Sequence, residues 1–254
     1  MAANPPRKTR ADGGIQVISR AMEILRALQD APAGLTQAEL TTRIGLARTT
    51  VHRILGALED EGLVAVSRPR GRYLLGPEIP RMSDAVRRAV VGQIHPFLVE
   101  LSREVNETVD LSVLDNDQAT FVDQIVANQR LQAVSAVGES FPLHCTANGK
   151  ALLAATRPVA LPSSLPALTP HTITSPEALR EELTQVETEG VAYDREEHTT
   201  GVCAVGAVAK GLPGPPVAVS VPMPARRFYG REPELAAALL GSVRRIEEAM
   251  RPGA

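Results

Sequence analysis

The stretch RTTVHRILGALEDEGLV, residues 48 to 64, gathers cations and hydroxyls at one end and carboxylates at the other. Arg48 and Arg53 carry the planar guanidinium that pairs in bidentate fashion with O6 and N7 of guanine, and the methyls of Thr49 and Thr50 can meet thymine. His52 lies between them. Entered end on into a major groove, such a helix sets its first two turns against bases and phosphates and keeps Glu59, Asp60 and Glu61 clear of the polyanion. Arg68, Arg70 and Arg72 follow in a basic cluster suited to phosphate or the minor groove, and Thr36 and Gln37, at the start of the preceding helix, are expected on the same surface.

The elements that would position these residues are legible in the apolar spacing. Val17, Ala21, Ile24, Leu25 and Leu28 predict a first helix. TQAE at 36 to 39 has the form of a capping box and predicts a second, ending near Gly45. In the third, Val51, Ile54, Leu55 and Leu58 form a buried stripe, with Thr49, Arg53, Gly56 and Asp60 opposite and Thr50 and His52 on the flanks. Helix, glycine turn and helix followed by the alternating VAVSRPRGRYLL, 64 to 75, make a winged helix-turn-helix. The same module can serve protein contacts, its arginines then being a solvated surface.

Charge divides the chain the same way. Residues 1 to 81 hold 12 basic and 8 acidic side chains, a balance of +4, against 15 and 21, or -6, in the remainder. A basic first third fits a polyanion partner. Two cysteines in 254 residues are too few for a disulfide framework, and no charged-then-apolar leader opens the chain, so a reducing cytoplasm is expected. No apolar run approaches the roughly 20 residues of a membrane span.

Residues 1 to 14 read as a disordered basic arm, 15 to 77 as the DNA-binding domain, 78 to 93 as a linking helix and 94 to 254 as a further domain. In that last part FLVELSREV, 97 to 105, is helical, while VDLSVL, TFVDQIV and LQAVSAV alternate as strands. GKALLAATR is a short helix, and a loop with prolines 158, 162, 166 and 170 reads as a surface crossing. SPEALREELTQVETEG is a helix capped by Ser175 and closed by Gly190, strands follow at 202 to 209 and 217 to 221, and Leu235, Leu239, Val243, Ile246 and Met250 mark a last helix. The class is α+β.

Other chemistry is less well supported by the spacing. His144 and Cys145 read as neighbours on a strand, facing opposite sides, which does not make a thiolate-imidazole pair. Glu196, Glu197 and His198 are consecutive and cannot converge on one ion without a sharp turn, so they read as solvated charges, although His198 with Cys203 or His144 is a conceivable metal cluster. A bridge between Cys145 and Cys203 depends on a separation that sequence does not give. Lys150 reads as a solvated helix lysine, with anion binding the alternative. No catalytic residue, metal ligand or cofactor is assigned.

From about residue 14 onward the chain resembles the IclR family of bacterial transcriptional regulators. The likeness is carried by LTQAELTTRIGLARTTVHRILGALEDEGLV, by GRYLLG in the wing, and above all by PLHCTANGKALLA, 142 to 154, and DREEHTTGVCAVGAVA, 194 to 209. The resemblance implies a winged helix-turn-helix, a linking helix and a GAF-like α/β effector-binding domain. It further implies homodimers or dimers of dimers on palindromic double-stranded operators, repression or activation of genes of carbon-source use, and a small carboxylate or aromatic acid as effector. Repression is the expected sign.

Carried over residue by residue, the effector pocket comprises Ala147 and Asn148 at the start of the GK helix, Asp194 at its mouth, Val202 and Ala204 on the next strand, Ser220 on the following one, and Arg130 and Ala133 facing them. Free amides at a helix start can hold a carboxylate. Two departures point to a different effector: Ala204 stands where the family often has cysteine, with Cys203 one place earlier, and Pro222 replaces a serine. The competing reading is a GAF-like sensory or redox module whose winged helix mediates protein contacts.

Overall fold

Ile24, Ala27 and Leu28 on α1 (Gln16–Gln29), Leu40 on α2 (Gln37–Ile44) and Val51, Ile54, Leu55 and Leu58 on α3 (Arg48–Asp60) recur at helical spacing, and with Val64 they form one buried cluster. The computed structural model describes residues 16–67, 70–115, 117–156, 161, 164–212 and 214–251. The basic arm read at 1–14 and the wing residue Arg68 therefore lie outside the described residues. Two units divide the chain, 1–85 and 86–254.

In the first unit the capping box forms in both directions: the Glu39 amide donates to the Thr36 hydroxyl at 3.2 Å, and the Thr36 amide donates to the Glu39 carboxylate at 2.7 Å. Gly45 closes α2 in the left-handed region, φ 73°. Strands β1 (Val64–Ser67) and β2 (Arg72–Leu75) pair antiparallel as the wing, and Leu35 adds a bridge to Tyr73 that the spacing did not announce. Val17, read as part of the α1 stripe, is exposed, so the first turn of that helix is not anchored, and the stripe meets the core from Ala21 onward.

The helical stretches read separately at 78–93 and 97–105 are one helix, α4 (Glu78–Val105), which runs through Pro96. Proline inside a helix costs about 3 kcal/mol. Ile94, Leu98 and Leu101 are fully buried on one face, each contributing roughly 1.5 to 3 kcal/mol, and together they outweigh the break.

The second unit is built on a six-stranded antiparallel sheet ordered β5-β4-β3-β8-β7-β6. Its strands are β3 (Val109–Asp115), β4 (Gln118–Ile125), β5 (Ser140–Pro142), β6 (Ala192–Arg195), β7 (Val202–Ala209) and β8 (Val217–Pro224). Alternation assigns the two faces. Val109, Leu111, Val113, Val205, Val219 and Val221 belong to one core with Leu98 and Leu101 of α4 and with Leu239 and Ile246 of α8 (Glu232–Ala249). A short helix, α7 (Ala225–Phe228), precedes α8. The residues between, Asp110, Ser112, Ala204, Ser220 and Asp194, fall in the opposite alternation, on the face where α5 (Ala147–Thr156) packs; α6 (Pro176–Glu189) lies against α5.

Three readings are corrected. LQAVSAV is not a strand: β4 pairs with β5 at 140–142 instead, and Leu131, Val134 and Val137 are exposed, since a period of two has no effect without a partner to pair with. His144 and Cys145 lie in a single 3₁₀ turn, Leu143–Cys145, not on a strand. The strand read at 217–221 continues to Pro224, opposite Val202. The α6 boundaries agree, with Ser175 accepting from the Ala178 amide at 3.3 Å and Gly190 at φ 77°. The α+β class and its order of parts are those read from the sequence.

Candidate functional site

At the start of α3, Arg48, Thr49, His52 and Arg53 are exposed while the opposite stripe is buried; Thr50 is half-buried. The helix presents its polar end because Val51, Ile54, Leu55 and Leu58 hold the other side in the core. Ala47 supplies no side-chain cap, so the positive end of the helix is not covered by a side chain of its own cap position. Gln37 donates from Nε2 to the Arg48 carbonyl at 3.0 Å and ties α2 to the first turn of α3.

Not all the predicted reading residues are free. The Thr36 hydroxyl is engaged in the capping box. Arg72 donates to the Gly34 carbonyl at 2.6 Å and pairs with Glu39 at 3.3 Å, which braces the wing against α2. Hydrogen bonds from Thr36, with Arg72 contributing, hold the Glu39 carboxyl below the usual carboxylate range. Arg70 is exposed. The structure thus brings Arg48, Thr49, His52 and Arg53 together and gives Thr36, Gln37 and Arg72 bracing contacts.

In the second unit a cavity of about 310 Å³ is bordered by Ala133, Ala147, Asn148, Asp194, Val202, Ala204 and Ser220, seven of the eight effector residues named from the sequence. Arg130 is exposed and not among the lining residues. The helix start reaches the sheet because Gly206 has no side chain: a Cβ there would lie 2.6 Å from the Ala147 carbonyl carbon and 2.8 Å from the Asn148 nitrogen. Gly149 does the same on the other side, where a Cβ would sit 2.4 Å from the Thr146 hydroxyl. Asn148 spends its amide on Ser112, Nδ2 to Oγ 2.9 Å.

Further lining residues lie outside that set, among them Asp110, Phe121, Phe141 and His198. The Phe141 ring stacks on His198, centroids 4.3 Å apart, and meets Phe121 edge to face at 4.9 Å. The two Asp110 oxygens accept from Gln124 Nε2 at 2.7 Å and Ser135 Oγ at 3.0 Å. Burial nevertheless pushes its carboxyl up to about 6. Burial likewise pushes Asp194 up to about 7, against the hydrogen bond it accepts from the Glu197 amide at 2.7 Å. Burial, aided by the nearby charge of His144, pushes His198 down, toward its neutral form. The phase of VDLSVL carried a signal for Asp110: it lies between Val109 and Leu111, on the opposite face of a strand whose apolar face is core.

Lys150 corrects the reading of a solvated lysine. It is fully buried, with Nζ 2.7 Å from Glu197 Oε1 and 3.0 Å from Glu182 Oε1. Nor is Glu197 solvated: it is buried, and its Oε2 has no partner. The sharp turn that consecutive acids would need does exist, with Glu196 at φ 63° and the Thr169 and Thr172 hydroxyls donating to backbone carbonyls there. What it builds is an ion pair. Both cysteines are buried and free. Burial pushes the Cys145 thiol up to about 12 and Cys203 up to about 11, and Cys203 belongs to the core on the face opposite Ala204. Neither provides a thiolate for redox or covalent work. Among the described residues no helix is long and apolar enough to cross a membrane.

Comparison with known proteins covers both units. Residues 17–67 match the family description "IclR helix-turn-helix domain", and 83–248 match "Bacterial transcriptional regulator IclR C-terminal". The chain is 64% identical to the HTH-type transcriptional regulator Rv1719 of Mycobacterium tuberculosis, over 92% of each chain. It is 37% identical to the regulator TtgV of Pseudomonas putida, covering 94% of this chain and 93% of that one. With the transcriptional repressor IclR of Escherichia coli the identity is 27%, over 86% and 83%. An IclR homologue from Microbacterium hydrocarbonoxydans, crystallised in complex with 4-hydroxybenzoate, shares the fold with a TM-score of 0.59 at 21% identity, over 92% of this chain and 99% of that one.

Proposed function

The chain belongs to the IclR family and is a DNA-binding transcriptional regulator; from that premise we propose that it is a repressor whose hold on its operator is set by a small organic molecule bound in the 310 Å³ cavity. The observation that carries the reading is the free polar start of α3, with Arg48, Thr49, His52 and Arg53 facing solvent from a helix otherwise anchored in the core. Arg48 and Arg53 contact bases, and Arg70 contacts backbone phosphate. Thr36, Gln37 and Arg72 act on DNA through the positions they impose on α2, α3 and the wing.

The protein binds palindromic operators as a homodimer or a dimer of dimers, in the cytoplasm where its DNA is. Repression is supported by a relative named as a repressor. An aromatic effector is supported by the neighbour crystallised with 4-hydroxybenzoate. The cavity volume falls at the low end of the range that holds small ligands. Effector binding favours one arrangement of residues 78–93 and so changes the spacing of paired reading heads, whose half-sites sit about 34 Å apart or at multiples of that.

The test is a titration of the promoter region beside the gene, read by fluorescence anisotropy across a salt series. Specific binding that weakens steeply with salt is expected, and Arg48→Ala or Arg53→Ala should cost about 1 to 3 kcal/mol and relax preference at one base pair. Binding that is indifferent to both substitutions would remove the groove assignment. A candidate effector must change operator affinity, because a ligand with equal affinity for both states moves nothing.

A further inference from the structure

The cavity wall is more acidic than the sequence suggests. Asp110 is 1% exposed and Asp194 5%, and both border the same space from strands that flank β8 and β7. Neither is paired with a cation in its hydrogen bonds: Asp110 accepts from Gln124 and Ser135, and Asp194 from the Glu197 amide. Lys150, the cation beside Asp194, is engaged by Glu182 and Glu197. Opposed to these two carboxyls is the start of α5, whose helix dipole amounts to roughly half a charge. One side of the space is ring-lined, by Phe121, Phe141 and His198.

Resting on the reading that this cavity is the effector site, we propose that its effector is an uncharged aromatic compound bearing a hydroxyl, and that Asp110 together with Asp194 excludes carboxylates. A hydroxyl both donates and accepts. It can give its hydrogen to an Asp oxygen and take one from the first-turn amides of Ala147 or Asn148, which border the same cavity. A carboxylate only accepts, so it offers neither aspartate a hydrogen and adds a like charge in a poorly solvated space. An ammonium meets the positive end of α5 and must be stripped of water. The ring lies against Phe141 and Phe121, where offset or edge contacts are favourable. Burial raises both carboxyls, at Asp194 even against the nearby charge of Lys150. Asp110 and Asp194 are thereby specificity-determining residues, and the acid effector inferred from family resemblance is replaced by an alcohol or phenol.

Benzyl alcohol, benzoate and benzylamine share a ring and differ in one group, which makes them the probes. Their affinities for the full chain are measured at pH 8 by ligand-observed NMR titration. Benzyl alcohol should bind about tenfold or more tightly than either ion. In the Asp110→Asn/Asp194→Asn double variant, benzoate should gain about tenfold relative to benzyl alcohol. If the double variant does not fold, Asp110→Asn alone carries the same comparison. Benzoate or benzylamine matching benzyl alcohol in the parent chain, no binding by any of the three, or an unchanged ratio in the folded variant overturns the proposal. An operator titration insensitive to Arg48 and Arg53 would sink the regulator mechanism while leaving this ratio intact, so the two failures are distinct.

Discussion

Replacing Lys150 by methionine keeps the apolar stem and removes the charge. Glu197, 6% exposed, then keeps a buried carboxylate whose Oε1 has lost its 2.7 Å partner and whose Oε2 had none. Removing one member of a buried pair costs about 3 to 5 kcal/mol, because the survivor is left charged in a poor solvent. The contact with Glu182, whose side chain is 23% exposed, adds little to this. For a unit of this size the loss corresponds to roughly 10 °C in Tm. Urea denaturation followed by circular dichroism, with hydrogen exchange of the β7 amides reporting the unit that holds the lysine, measures it. The double variant Lys150→Met/Glu197→Met should recover most of the loss, since an apolar pair of similar volume replaces the ions. A loss below about 1 kcal/mol at pH 8, the value for an exposed pair, would refute the buried ion pair.

Gly206→Ala places a methyl against backbone atoms of α5 at 2.6 to 2.8 Å, so the helix must move off the sheet. The expected cost is about 1 to 3 kcal/mol in urea denaturation, with weakened probe binding in the cavity. Thr36→Ala removes the acceptor for the Glu39 amide and should cost about 1 kcal/mol, measurable as a lowered thermal midpoint of the DNA-binding unit. Asp110 and Asp194, raised from 3.8 to about 6 and about 7, bind protons in the fold that the unfolded chain has released. Their contribution is therefore most favourable below about pH 4 and is lost as pH rises through about 7, by a few kcal/mol in total. Comparing urea midpoints at pH 5 and pH 8, Asp194→Asn should be markedly flatter than the parent; an equal slope would contradict the assignment.

The helix-turn-helix was legible because its determinants are local. Periodicity, a capping box and a left-handed glycine each act within a few residues, and Thr36, Glu39 and Gly45 all behave as their spacing suggests. The exposure of Arg48 and Arg53 follows from the stripe opposite them. What escaped the sequence was non-local. Arg72 looks like a free wing arginine until Glu39, 33 positions away, is brought beside it. Lys150 is buried because Glu182 and Glu197 converge on it from different elements. LQAVSAV has strand alternation, yet strand formation needs an edge to join, and β5 occupies that edge of β4. The helices read at 78–93 and 97–105 are joined through Pro96, and only the depth at which Ile94 and Leu98 are buried shows why the helix continues.

Along β3, β7 and β8 the odd-numbered residues, such as Val109, Leu111, Val205, Val219 and Val221, belong to the core shared with α4 and α8, whereas Asp110, Ala204, Ser220 and Pro222 border the cavity. Inheritance can therefore act on the two sets separately. A lineage could rewrite positions 110, 204, 220 and 222 one at a time, passing from one ligand to another, while the odd-numbered core residues stay as they are. A library randomised at 110, 204, 220 and 222 should yield mostly folded members with scattered ligand preferences.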